Sequence, residues 1–217
     1  MMIVKIWDLP TRVFHWSLVF AFVASIATAK LGGNWMDWHM RFGYATAGLL
    51  VFRLFWGVVG GRWSRFRHWP LSWRALIRYL RGEATLPELA GHTATGSWAT
   101  LAMLGALLAQ VATGLVADDE IATTGPLANW VSAAVSEWAT WYHHEVGQPL
   151  LIGLVAMHLI AIVFYTAVKK QDLLIAMVRG YKALPTETPD SLDDIRSRSI
   201  GVFLLAVLVA GSLWVFS

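Results

Sequence analysis

Seven histidines interrupt a largely apolar chain, at positions 15, 39, 68, 92, 143, 144 and 158. His158 lies within "GLVAMHLIAIVFY", with no polar side chain close on either side. An ionisable group in such a run is costly in a membrane. It marks a functional site, or a structural hydrogen bond to a carbonyl of a neighbouring helix. His144 precedes His158 by fourteen residues. In an α-helix fourteen steps fall about 40° short of four turns and rise ~21 Å. The two imidazoles therefore share a face but cannot bind one metal ion, which suits two sites at two depths. His143 is turned about 60° to the other side, so helix geometry leaves the choice between the adjacent histidines open.

Partners for both depths are available. His39, in "DWHMRFGY", opens a second apolar run on the level of His144, and His15, in "WDLPTRVFHWS", lies near the start of the first, on the side toward His158. Two cross-helix histidine pairs are one way of holding b-type haems between bundle helices. Each neutral imidazole gives a lone pair to iron while its other N–H bonds a backbone oxygen. The inner pair carries a mismatch. His158 lies eleven residues before Lys169 and His15 three after Arg12, a difference of ~12 Å in depth at 1.5 Å per residue. The fourth span must run past the membrane, or Arg12 must be drawn inward.

Arg41 follows His39 by two residues and Arg53 follows it by fourteen, repeating the His144–His158 spacing. A haem carries two propionates, so Arg41 is expected to face them at the outer level and Arg53 at the inner one. The other reading of Arg53 is snorkelling to the headgroups. Gly43, Gly48, Gly105, Gly114, Gly147 and Gly153 offer room for a flat ring. His68 reads as interfacial. His92, in "AGHTATG", either caps a helix or takes part in binding a quinone.

The elements that must position these residues are membrane helices. The chain has 217 residues, 57% apolar and only 14% charged, with thirteen tryptophans. A soluble domain carries roughly 25% charged residues. Without cysteine there is no disulfide, thiolate-held zinc, iron–sulfur cluster or thioether-attached haem. A span needs ~20 apolar residues; the candidates are 13–31, 39–59, 97–117, 146–168 and 200–216. The first resembles a signal peptide ending in "SIATAK", but its length and the residues Asp8 and Pro10 favour a retained span.

Charge fixes the orientation. Arg62, Arg65, Arg67, Arg74, Arg78 and Arg81 follow the second span, and Lys169, Lys170, Arg179, Lys182, Arg196 and Arg198 separate the fourth from the fifth. The connection between spans three and four holds Asp118, Asp119, Glu120 and Glu137 and no basic residue. The positive-inside rule puts the N-terminus and both basic connections in the cytoplasm. The net charge of +3 is thus a topology signal and does not indicate nucleic-acid binding. "PLSWRALIRYLRG" predicts an amphipathic helix, either lying on the inner leaflet or serving as an ordinary connector. Residues 183–199 read as a polar linker with a short helix capped near Ser191.

The segments "WDLPTRVFHWS", "DWHMRFGY", "FRLFWGVVG", "RYLRG", "GHTATGSW", "HHEVG" and "AMHL" together resemble the bacterial cytochrome b561 family, which includes the cytochrome b subunit of nickel–iron hydrogenases. The similarity covers residues 3 to about 182. It implies an all-α membrane protein: a four-helix bundle over residues 1–182 holding two b haems, a linker 183–199, and an additional fifth helix over 200–217. It implies His15 with His158 for the inner haem and His39 with His144 for the outer, His144 being chosen because Glu145 follows it. It implies electron transfer across the inner membrane between the quinone pool and a redox partner, a cytochrome c or a hydrogenase-like subunit, with oligomers an open matter. A histidine-lined transporter of metal ions or protons is the alternative from the residues alone. A metalloenzyme would need carboxylates beside the histidines, and the spans hold none. No nucleophile or acid/base dyad is evident, so quinone is the expected substrate if the protein turns one over.

Overall fold

Five helices in the computed structural model, which describes residues 2–120, 123–185 and 188–216, are long and apolar enough to cross a membrane. The first, α1 (Leu9–Leu31), starts four residues before the predicted span because Asp8 caps it. The Asp8 carboxylate accepts the Thr11 amide at 2.9 Å, satisfying one of the free N–H groups of a helix start. Pro10 in the first turn needs no amide there. The helix ends where Gly32 and Gly33 turn to φ +64° and +54°, a region that glycine enters without a Cβ penalty. Then α2 (Met36–Val59) leads into a loop of 3₁₀ turns and the expected amphipathic helix, α3 (Trp73–Leu80), which Ser72 caps. After it come α4 (Leu86–Ala90) and α5 (Ala94–Val116).

The fourth apolar segment is longer than the sequence indicates, running from Ala133 to Ala167. It comprises α6 (Ala133–Trp141), a π-helical turn over Tyr142–Gly147, and α7 (Gln148–Ala167). Next come α8 (Leu173–Arg179) and α9 (Ile195–Phe216). The chain divides into two compact units. One is Met1–His15, Phe52–Ala102 and Ala156–Leu204; the other is Trp16–Val51, Met103–Val155 and Leu205–Ser217. Phe20, Val163 and Phe203 are 66%, 65% and 71% exposed, a surface suited to lipid and not to water.

The first unit has its own apolar core of Val4, Ile6, Trp7, Trp63, Ala90, Ala176 and Leu184. A two-stranded antiparallel sheet joins β1 (Met2–Lys5) to β2 (Tyr181–Leu184), with Met2 opposite Leu184 and Lys5 opposite Tyr181. The segment after β2 is docked. Ser191 donates its amide to the Lys5 carbonyl at 2.8 Å, Lys5 N donates to Asp190 at 2.7 Å, and Leu9 N donates to Asp193 at 2.9 Å. Asp193 also pairs with Arg198 at 2.7 Å and with Lys5 at 3.5 Å. The helix expected to be capped near Ser191 is α9 itself, which begins at Ile195. The Asp194 carboxylate makes the cap, accepting the Ser197 amide at 2.8 Å; Ser191 is buried instead. Within the first unit α9 packs by Gly201 against Pro10 and Trp56, and within the second Gly48 of α2 packs on Leu208 and Val209 of α9. Gly48 thus makes room for a helix.

Burial opposes ionisation of Asp193, but the hydrogen bonds from Arg198 and Leu9 and the charges of Arg198 and Lys5 outweigh it, holding its pKa below the usual value. A depressed carboxyl stabilises the fold above its ordinary range and loses that contribution as pH falls through the depressed value. The Leu9 amide should therefore keep its hydrogen-exchange protection at pH 5 and lose it progressively below about 4. Asp193→Ala should cost about 1.5–3 kcal/mol, the range for hydrogen bonds to a charged group, and should abolish that pH dependence.

Candidate haem-binding sites

In the second unit, α1, α2, α5 and the π turn line a cavity that contains His39, His143 and His144. His39 donates Nδ1–H to the Ser25 carbonyl of α1 at 2.9 Å. His143 donates Nδ1–H to the Gln110 carbonyl of α5 at 2.9 Å. Gln110 returns the contact, giving its Nε2 proton to the His143 carbonyl at 3.0 Å. Each neutral ring is thereby fixed in the tautomer whose lone pair is on Nε2. The ring centroids of His39 and His143 lie 6.1 Å apart, nearly perpendicular at 86°. Two imidazoles bound through Nε2 on opposite sides of one metal ion, at about 2 Å each, have centroids roughly 6 Å apart. His144 stands next to His143, centroids 5.6 Å apart, with an exposed side chain.

The glycines here differ in purpose. A Cβ on Gly114 would meet the His143 ring at 2.8 Å, whereas one on Gly43, Gly105 or Gly153 would meet nothing within 4 Å. Gly114 lets the imidazole lie against α5, and Gly43, on the cavity wall, leaves space open. Arg41 is exposed; its guanidinium lies over Trp38, 5.2 Å from the ring centroid, and it does not line the cavity.

The first unit holds the other predicted residues. His15 on α1 and His158 on α7 lie within electrostatic reach of one another. Arg53 is buried, 4% exposed, with its guanidinium 4.6 Å from the Phe66 ring and 5.2 Å from Trp69. Its Nη1 has no hydrogen-bond partner among the described residues. A buried cation with an unused N–H is fitted for an anionic oxygen, which a haem propionate supplies. Arg53 does not snorkel to the surface.

Three residues join this site without a strong sequence signal. His92 packs edge-on against Trp7, centroids 4.8 Å apart, and against Trp69 at 4.6 Å. Burial, and then the neighbouring Arg53, His158 and Lys182, push its pKa down to about 3, so it is neutral at physiological pH. Burial lowers Lys182 as well; its Nζ donates to the Leu89 carbonyl at 2.8 Å. Asp8 is fully buried and accepts Trp56 Nε1 at 3.0 Å, Ser64 Oγ at 2.6 Å and the Gly61 amide at 3.2 Å besides Thr11. Only the Asp-x-x-Thr spacing at a helix start hints at its capping role.

Residues 6–180 match the family described as prokaryotic cytochrome b561. The chain belongs to the prokaryotic cytochrome b561 family. It is therefore a multi-pass bacterial membrane protein, a b-type cytochrome of electron transfer. A probable Ni/Fe-hydrogenase B-type cytochrome subunit of Azotobacter vinelandii is 24% identical over 224 residues, covering 86% of this chain and 91% of that protein. The corresponding protein of Azotobacter chroococcum mcd 1 is 23% identical over 222 residues, with the same coverage. No solved structure matches significantly. Among the described residues no three His, Cys, Asp or Glu side chains gather into a metal-ion site. A bare transition-metal ion takes three or four protein ligands, while the porphyrin supplies four of its own and asks the protein for two.

Gly114→Ala should press the His143 ring out of place and lower the haem content of the purified protein. Gly105→Ala should leave the absorption spectrum unchanged, since its Cβ meets open space.

Proposed function

We propose that the protein is a di-haem cytochrome b subunit that passes electrons across the inner membrane between the quinone pool and a redox partner at the outer face. The facing His39 and His143 rings, each anchored through Nδ1, are the observation that carries this reading. Bound haem supplies a one-electron couple. The chain's own residues bind and orient it. His15 and His158 serve one haem, and His39 with the 143–144 pair serves the other. Arg53 offers the charge that offsets propionates and favours the reduced, more negative state. The helices keep water away. Residues 1–182 act as the haem domain, 183–199 as the link and 200–217 as an added helix that packs on α2.

The names of the Azotobacter relatives support a hydrogenase-like partner; a cytochrome c is the other candidate. The arginines and lysines of the two basic connections support a cytoplasmic N-terminus. His92, buried beside the inner residues and neutral, supports quinone binding on that side, where a neutral imidazole can accept a proton or donate one to a carbonyl oxygen.

Pyridine haemochrome analysis should give two b haems per chain. His15→Ala and His158→Ala should each leave one, and a folded, colourless protein would sink the proposal. Arg53→Leu should retain both haems and lower one midpoint potential by on the order of 60 mV, the one-electron equivalent of ~1.4 kcal/mol. An unchanged redox titration would remove Arg53 from the propionates.

A further inference from the structure

Among the described residues, two buried nitrogen donors beside α2 lack an acceptor, Arg53 Nη1 and the indole Nε1 of Trp69. Trp69 is only 6% exposed, and a buried indole N–H normally finds a hydrogen-bond partner. The Arg53 guanidinium carbon lies 5.2 Å from the Trp69 ring centroid, and one carboxylate has two oxygens to offer. We propose that Trp69 joins Arg53 in binding a single carboxylate, a propionate of the haem assigned to His15 and His158. The assignment rests on the di-haem reading and adds to it a positioning donor, the Trp69 N–H.

The chain builds this corner locally. Phe66–His68 form a 3₁₀ turn, closed by the Trp69 amide, which donates to the Phe66 carbonyl at 3.0 Å. Three residues per turn bring side chains i and i+3 to one side. The Phe66 and Trp69 rings therefore meet, centroids 4.9 Å apart and nearly perpendicular at 87°, and both contact the Arg53 guanidinium. Gly57, four residues after Arg53 on α2, admits the Phe66 ring, since a Cβ there would run into it. His92 braces the indole, ring centroids 4.6 Å apart. Asp8, the carboxylate whose charge reaches Arg53, already accepts from Thr11, Trp56, Gly61 and Ser64. A neutral quinone would leave the buried cation uncompensated, which is costly. A carboxylate compensates the charge and accepts both N–H groups.

The test compares variants of the full-length purified protein by pyridine haemochrome, redox titration and resonance Raman spectroscopy of the propionate bending bands. Trp69→Phe keeps a ring against Phe66 and Arg53 and removes the N–H. It should retain two haems, shift one propionate band and lower one midpoint potential, because the carboxylate charge is less offset. A roughly threefold change in the balance of oxidised and reduced haem corresponds to about 30 mV for one electron. The haem affected should be the one that Arg53→Leu affects. Trp69→Gln, which restores an N–H, should return band and potential toward the wild type. Trp73→Phe, at an indole 70% exposed, should change nothing. The proposal is overturned if Trp69→Phe leaves bands and potentials unchanged, shifts a potential without a band, or acts on the other haem. Should Trp69→Phe lose a haem, Trp69→Gln decides: two haems with the wild-type band support the N–H, and the same loss overturns it. These results leave the di-haem reading standing. A wild-type protein with fewer than two haems would instead overturn that reading.

Discussion

An imidazole among apolar helices has two nitrogens to satisfy and no water to do it. His39 and His143 each give one nitrogen to a carbonyl of a neighbouring helix, and the two rings face one another in the cavity. A ring that donates through Nδ1 carries its lone pair on Nε2, the nitrogen that a Lewis acid would take. Much else in the second unit follows from this. Ser25 and Gln110 must present carbonyls at the right height, α5 must carry glycine where the ring lies against it, and the fourth segment must wind so that one histidine faces inward. A carbonyl that accepts from an imidazole as well as from its own helix ties neighbouring helices together at the depth of the site.

The first unit meets the same shortage of partners by gathering donors around a carboxylate. Asp8 collects two backbone amides, an indole N–H and a hydroxyl from α1, α2 and the loop after α2. Gly61 can approach because it has no Cβ; one there would meet both Asp8 and Ser191. The start of the helix that carries His15 is thus fixed to the end of the helix that carries Arg53. Arg53 in turn is framed by aromatic faces, which hold a cation without neutralising it and leave its charge for a ligand.

The helices and the histidine positions were legible in the sequence because both are written locally, in apolar runs and in the ionisable residues that break them. Span starts were less so. The fourth begins at Ala133 because "AAVSEWATW" is helical without being uniformly apolar. The strands were invisible: Met2–Lys5 and Tyr181–Leu184 carry little individual signal, and their pairing joins distant parts of the chain. The helix expected near Ser191 starts later, at Ile195, for the same reason, since residues 190–193 spend their polar groups on Lys5 and Leu9. Regular-helix arithmetic, applied to His143 and His144, assumed 100° per residue through a turn that winds more slowly. Arg41 read as a ligand-facing residue by proximity in sequence, but its helix turns it to Trp38.

The β1–β2 ladder constrains biogenesis. Hydrogen bonds between residues 2–5 and 181–184 form only if both strands end on the same side of the bilayer, so the chain between them must cross an even number of times. Four apolar helices lie in that interval, satisfying the parity. A topology in which one of the four failed to insert would separate the strands by a membrane. During synthesis the first strand waits for its partner until the four intervening apolar helices have been made, so the ladder can close only on a correctly threaded product.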